Sequence, residues 1–216
     1  MVKKMDDKKI KEQESNKKET RAQERIKENK LLVKILLVIG FFFLVIMIAF
    51  FSMKSSTHPK YNGVTFNMIQ EGELTFYETS FNVMQAGKPA VYNIYLRNSP
   101  KKLEKDVAFE GELKLKNIMV LNSTTENLFC EGDWNLAIGN LLNLNIFNIE
   151  IMKDENASCS EGGEYMFVQI EEGEETKIEQ FGPSCYKLIV NDCEILPATE
   201  RFMIEVFSEV NALLNK

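Results

Sequence analysis

Four cysteines, one histidine and a run of glutamates are the residues of this 216-residue chain best equipped for chemistry. Cys130, Cys159, Cys185 and Cys193 all follow the one long apolar segment. An even number of cysteines in a domain outside the cytoplasm predicts disulfides, and four allow three connectivities. Cys185 and Cys193 bracket Tyr-Lys-Leu-Ile-Val-Asn-Asp. If that stretch is extended, their Cα atoms lie about 25 Å apart, far beyond the ~7 Å limit for a bridge. A Cys185–Cys193 pair is therefore disfavoured. Two connectivities stay open, with Cys159–Cys185 plus Cys130–Cys193 preferred. Zinc is the rival use of these thiols, but there is no Cys-x2-Cys spacing and no nearby histidine.

Catalytic candidates are few. His58 stands alone, beside the apolar segment, so no Ser-His or Cys-His pair can form within the folded domain. The chain has no Gly-x-Ser-x-Gly, Walker A, Gly-x-Gly-x-x-Gly or His-Glu-x-x-His. Glu171, Glu172, Glu174 and Glu175 lack the Asp-x-Asp-x-Asp spacing of a calcium loop and read as a solvated hairpin tip. Paired carboxylates stay open, because residues 54–216 hold 25 acidic side chains. No catalytic residue, cofactor or metal site is assigned. Asn122-Ser123-Thr124 and Asn156-Ala157-Ser158 are glycosylation sequons, both expected in loops.

Positioning these residues falls to three zones that the averages conceal. Residues 1–30 hold 11 Lys/Arg and 7 Asp/Glu, residues 31–53 are nearly all apolar, and residues 54–216 carry a net charge of −11. Ile35 to Phe51 runs 17 residues without a charge. Extended to residues 31–53, it reaches roughly the 30 Å of a hydrocarbon core at 1.5 Å per residue. Being apolar on every face, it has no side to turn to water. A cleaved signal peptide fits poorly: the charged stretch before it and the apolar run itself are both too long, and no Ala-x-Ala site follows. The expectation is a signal-anchor transmembrane helix through which the chain meets the lipid bilayer. Lys17, Lys18, Arg21, Arg25, Lys27, Lys30 and Lys34 on the N-terminal side outnumber Lys54 and Lys60 on the other. That asymmetry places the N-terminus in the cytoplasm and the C-terminal domain outside the cell membrane. The cytoplasmic tail, residues 1–30, has the composition of a solvated helix, with Glu14–Lys18 at i,i+4 and no heptad seam.

Residues 54–60 form a polar stalk, and residues 61–216 a single domain. Its first part is β-rich, with strand patterns at Val64–Met68, Leu74–Tyr77 and Val91–Leu96 broken at Gly72 and Gly87-Lys88-Pro89. Ser99-Pro100 starts a short helix over Pro100–Lys105. Leu113–Leu121 ends in an apolar run suited to a strand buried on both faces. Asp133 caps a helix in which Trp134, Ala137, Ile138, Leu141 and Leu144 share a stripe, opposite Asn135, Gly139 and Asn143. Ile149–Met152 follows as a strand, and this strand–helix–strand order predicts a parallel crossover. Tyr165–Ile170 and Thr176–Phe181 read as a hairpin, Tyr186–Val190 as a strand and Pro197–Leu214 as the closing helix. The fold class expected is α+β: a mixed sheet with two packed helices, a β-rich start followed by β-α-β-β-β-α.

Residues 119–214 resemble a loose group of uncharacterised archaeal membrane-anchored α+β proteins with paired cysteines. The likeness lies in the Ile-Met-Val-Leu strand, the helix from Trp134, Ile149–Met152, Cys159, Tyr165–Ile170, Glu175-Thr176-Lys177-Ile178, Cys185-Tyr186-Lys187-Leu188 and Glu200-Arg201-Phe202. Arg97–Glu104 is also similar to a Pro-x-x-Leu-Glu stretch of that group. The resemblance implies the α+β architecture and pairing of Cys159 with Cys185. Cys130 and Cys193 lie outside the shared pattern, and no activity carries over.

The functional expectation is a membrane-anchored extracytoplasmic interaction or structural module with a protein partner, such as a subunit of a surface complex. The alternative is an anchored envelope enzyme using carboxylates or a thiol. No nucleic-acid partner is expected, because phosphate repulsion by a domain of net charge −11 disfavours such binding.

Overall fold

A computed structural model describes residues 34, 36–51, 59–85, 87–123, 130 and 132–214. The tail at 1–30 with its Glu14–Lys18 pair, the ends of the apolar segment, most of the stalk with His58, and Thr124 of the first sequon lie outside them. The chain divides into two compact units, Met1–Ser55 and Ser56–Lys216.

In the first unit, helix α1 covers residues 36–51, and its large apolar side chains are all exposed. Among the described residues no helix is long and apolar enough to cross a membrane.

The second unit opens with a hairpin of β1 (Lys60–Tyr61) and β2 (Val64–Thr65). An antiparallel meander follows: β3 (Asn67–Glu71), β4 (Leu74–Gln85) and β5 (Lys88–Leu96). Helix α2 (Pro100–Asp106) leads to β6 (Ala108–Glu110). Then come β7 (Ile118–Ser123), α3 (Asp133–Leu142) with a 3-10 turn at Asn143–Phe147, and β8 (Glu150–Lys153). Strands β9 (Met166–Glu172), β10 (Lys177–Gly182) and β11 (Cys185–Val190) precede the last helix, α4 (Ile195–Leu214). The larger sheet has the order β6-β10-β11-β9-β7-β8, with only β10–β11 antiparallel. The fold is α+β with a mixed sheet, and β7 and β8 form the expected parallel pair.

Helix α4 lies between the two larger sheets. Phe202 meets Tyr186 of β11 on one side, while Phe207 meets Phe81 of β4 on the other. Burial from both sides explains why twelve of its twenty residues are buried, far more than a one-faced helix would hide. Along β9 the period of two sorts the side chains. Met166, Val168 and Ile170 join the main core, whereas Phe167 turns to the opposite face, where Val120 and Cys185 pack under Ala157 and Cys159.

Three local expectations need correction. Strands β9 and β10 do not form a hairpin, because β11 lies between them, parallel to β9 and antiparallel to β10. The acidic stretch instead steps across the end of β11, where the Gly173 amide donates to Val190 O at 3.0 Å. A Cβ at Gly173 would sit 2.3 Å from Ile189 Cγ2, so any larger residue at the step would have to displace the Ile189 side chain. Asp133 is the first residue of α3 rather than its cap; Gly132, at φ +94°, occupies the cap position. The strand expected over Leu113–Leu121 begins only at Ile118, and the preceding chain is held by side chains: Lys114 N donates to the Tyr186 hydroxyl at 2.7 Å.

Candidate functional site

The cysteines form two disulfides. Cys159–Cys185 (Cα–Cα 5.7 Å) pins the chain after β8 to the outer face of β11. Cys130–Cys193 (Cα–Cα 5.3 Å) ties the approach to α3 to the turn before α4, where Asp192 and Cys193 take positive φ values of 45° and 64°. With no free cysteine, the domain offers no thiol as nucleophile or metal ligand. The two sequons are placed differently. Asn156 is exposed. Asn122 is half-buried and donates through Nδ2 to the carbonyls of Glu155 (3.3 Å) and Ala157 (3.2 Å).

Charged residues of α4 meet the chain segments that cross it. Glu200 is fully buried and accepts from Arg97 N (2.6 Å), Asn98 N (2.9 Å) and Asn98 Nδ2 (2.9 Å), fixing the corner between β5 and α2. Burial pushes its carboxyl up to about 7, against the pull of those three donors. From the next residue of α4, the Arg201 guanidinium reaches Glu205 Oε1 at 2.5 Å and donates through Nε to Val107 O at 3.2 Å. It also lies 5.5 Å from the ring centres of both Tyr61 and Phe109. The Tyr61 hydroxyl donates to Glu205, and burial, together with that bond, raises its pKa to about 12. Each group in this cluster is spent on holding β1, α2 and β6 to α4. The Glu200 carboxyl is shifted toward neutrality, yet both its oxygens are occupied and none of it is exposed, so it positions backbone rather than moving protons.

Among the described residues several clefts open on the surface, three of them of about 270 Å³ or more. One of about 390 Å³ lies between the end of β4, the 3-10 turn and the end of α4, lined by Met84, Phe147 and Leu213 among others. A second, about 270 Å³, sits at the carboxyl ends of β7 and β8 under Trp134, Ile138 and Leu142 of α3, with Asn122 and Lys153 at its polar side. The third, about 360 Å³, runs between β5 and α3. Tyr92 and Tyr95 of β5 and Arg97 just past its end line it on one side, and Leu136 and Asn140 of α3 with Asn143 of the 3-10 turn on the other. Asn143 Oδ1 accepts from the Tyr92 hydroxyl at 3.1 Å. Arg97 stacks 5.3 Å from the Phe76 ring centre. Asn140 is 7% exposed, and its buried Nδ2 has no acceptor among the described residues.

That buried, unpartnered amide separates the third cleft from the other two, since such a group is costly unless something supplies an acceptor. Sequence reading assigned the stripe of α3 but not Asn140; its signal was an amide between Ala137 and Leu141, inside the buried arc. Arg97 and Glu200 were legible only as parts of a resemblance, because their partners are about a hundred residues away. Among the described residues no group of three His, Cys, Asp or Glu side chains could hold a metal ion. Comparison with protein families, curated proteins and solved structures found no match.

Proposed function

We propose that this chain is a single-pass membrane protein whose disulfide-braced domain lies outside the cytoplasm and binds a protein partner, as a subunit of a surface complex would. The observation that carries this reading is the pair of disulfides, closing separations of 63 and 26 residues. Such bridges persist in oxidising compartments and are rare in the cytosol. The charge-free stretch of residues 35–51 precedes them in the chain and supplies the anchor, with the basic flank on its N-terminal side inside.

Fractionation tests it. The full chain is expected in the membrane pellet after alkaline carbonate extraction, with protease added to intact cells or spheroplasts digesting the cysteine-containing domain. Recovery in the soluble lysate with four alkylatable thiols overturns the reading.

A further inference from the structure

We infer that the groove between β5 and α3 receives an extended segment of a partner polypeptide, which adds a strand beside β5 and presents one carboxylate to Arg97. This inference rests on the reading of the domain as a binding module and names the kind of partner. Four observations converge on it. First, β5 ends the meander, with no strand on its other side among the described residues. Second, the sequence of that edge lacks the usual protection along Val91–Leu96. Natural proteins blunt edge strands with charge, proline or short length; here Lys88 and Pro89 sit at one end, while Val91–Leu96 is uncharged, proline-free and rich in strand formers. Third, Asn140 of α3 is among the residues lining the groove, its buried amide lacks an acceptor among the described residues, and a peptide carbonyl is an acceptor an added strand would supply. Fourth, Arg97 is the only charged side chain among the described residues lining the groove; it feels the buried Glu200 carboxyl electrostatically but makes no ion pair within 4 Å among the described residues. A cation here, on a domain of net charge −11, selects a segment with a single local carboxylate; a long acidic run would be repelled by the rest of the surface.

The test uses the full chain in detergent micelles and a labelled decapeptide of alternating Val and Thr with one central Glu, alongside the same peptide with Lys at that position. The Glu peptide is expected to bind at least tenfold tighter, and Arg97→Gln to abolish the difference. Asn140→Leu is expected to weaken both peptides about fivefold while leaving the thermal midpoint unchanged or higher, because it removes an unpaired donor rather than a structural bond. On adding the Glu peptide, alternate amides within 91–96 should become protected from hydrogen exchange. Equal binding of the two peptides, binding to neither, or unaltered binding in Asn140→Leu overturns the inference. So does protection of those amides without peptide: if it grows with concentration alongside a doubled mass, a second copy fills the groove, and if it is independent of concentration, the chain's own residues do. Membrane fractionation reads the anchoring separately, so either result can fail while the other stands.

Discussion

At the scale of single residues, the buried charges of α4 carry the sharpest expectations. The Glu200 carboxyl titrates at about 7 in the fold, against an ordinary 4.5. The folded chain thus holds a proton that the unfolded chain releases at lower pH. The stability this proton gives is complete below pH 4.5 and is lost as pH rises to about 7, a change on the order of 3 kcal/mol. Urea unfolding across pH 4.5–8 should show that decline, and Glu200→Gln should remove most of it. If the variant declines as the native chain does, the titrating group lies elsewhere. Arg201 poses a different problem, since its partner Glu205 is largely buried as well. Arg201→Met leaves that carboxylate facing only the Tyr61 hydroxyl and is expected to cost about 3 kcal/mol. Adding Glu205→Leu should recover more than half of the loss. A double-mutant cycle with no coupling would mean that Arg201 acts through its ring contacts alone.

Elements were legible where their signal is local and hidden where it is not. The stripe of α3 and the apolar run of β7 carry their own periods, so the parallel β7–α3–β8 unit could be read from about 40 residues of sequence. Pro100 at the first turn of α2 was equally local. The supposed hairpin failed because pairing between β9 and β10 is prevented by β11, a strand that arrives later in the chain; no pattern within Tyr165–Phe181 encodes that insertion. Strand β6, only three residues long, owes its existence to parallel pairing with β10 some 70 residues on, and gave no signal of its own. The groove at β5 was half legible: the strand was expected, its status as an edge was not. The bridges hold such non-local arrangements by limiting the unfolded chain. Closing separations of 26 and 63 residues is worth about 3–4 kcal/mol each on chain-entropy grounds. Replacing Cys159 and Cys185 together by Ser should therefore lower stability by about 3 kcal/mol in a denaturant titration. The Cys130/Cys193 pair should cost slightly more, and a reversed order would show that native packing outweighs loop closure.

For the whole molecule, the proposed topology and the fold depend on each other. Two bridges at about 3–4 kcal/mol apiece together supply about 6–8 kcal/mol, a large share of the roughly 5–15 kcal/mol by which a domain of this size is ordinarily stable. A domain delivered to the reducing side of the membrane would lose that contribution and stand near its unfolding threshold. Charge placement decides the side of delivery. Changing Arg25, Lys27, Lys30 and Lys34 to Gln while changing Ser55, Ser56 and Thr57 to Lys reverses the balance of positive charge around residues 31–53. A substantial fraction of this variant should insert inverted. Inverted chains should take up four maleimide-polyethylene glycol adducts without prior reduction, whereas correctly inserted chains should take up none. They should also turn over faster, since the unbridged domain spends more time unfolded. Native chains that already take up four adducts in intact cells, or inverted chains that remain fully oxidised, would break the link between orientation, oxidation and stability on which the extracytoplasmic reading stands.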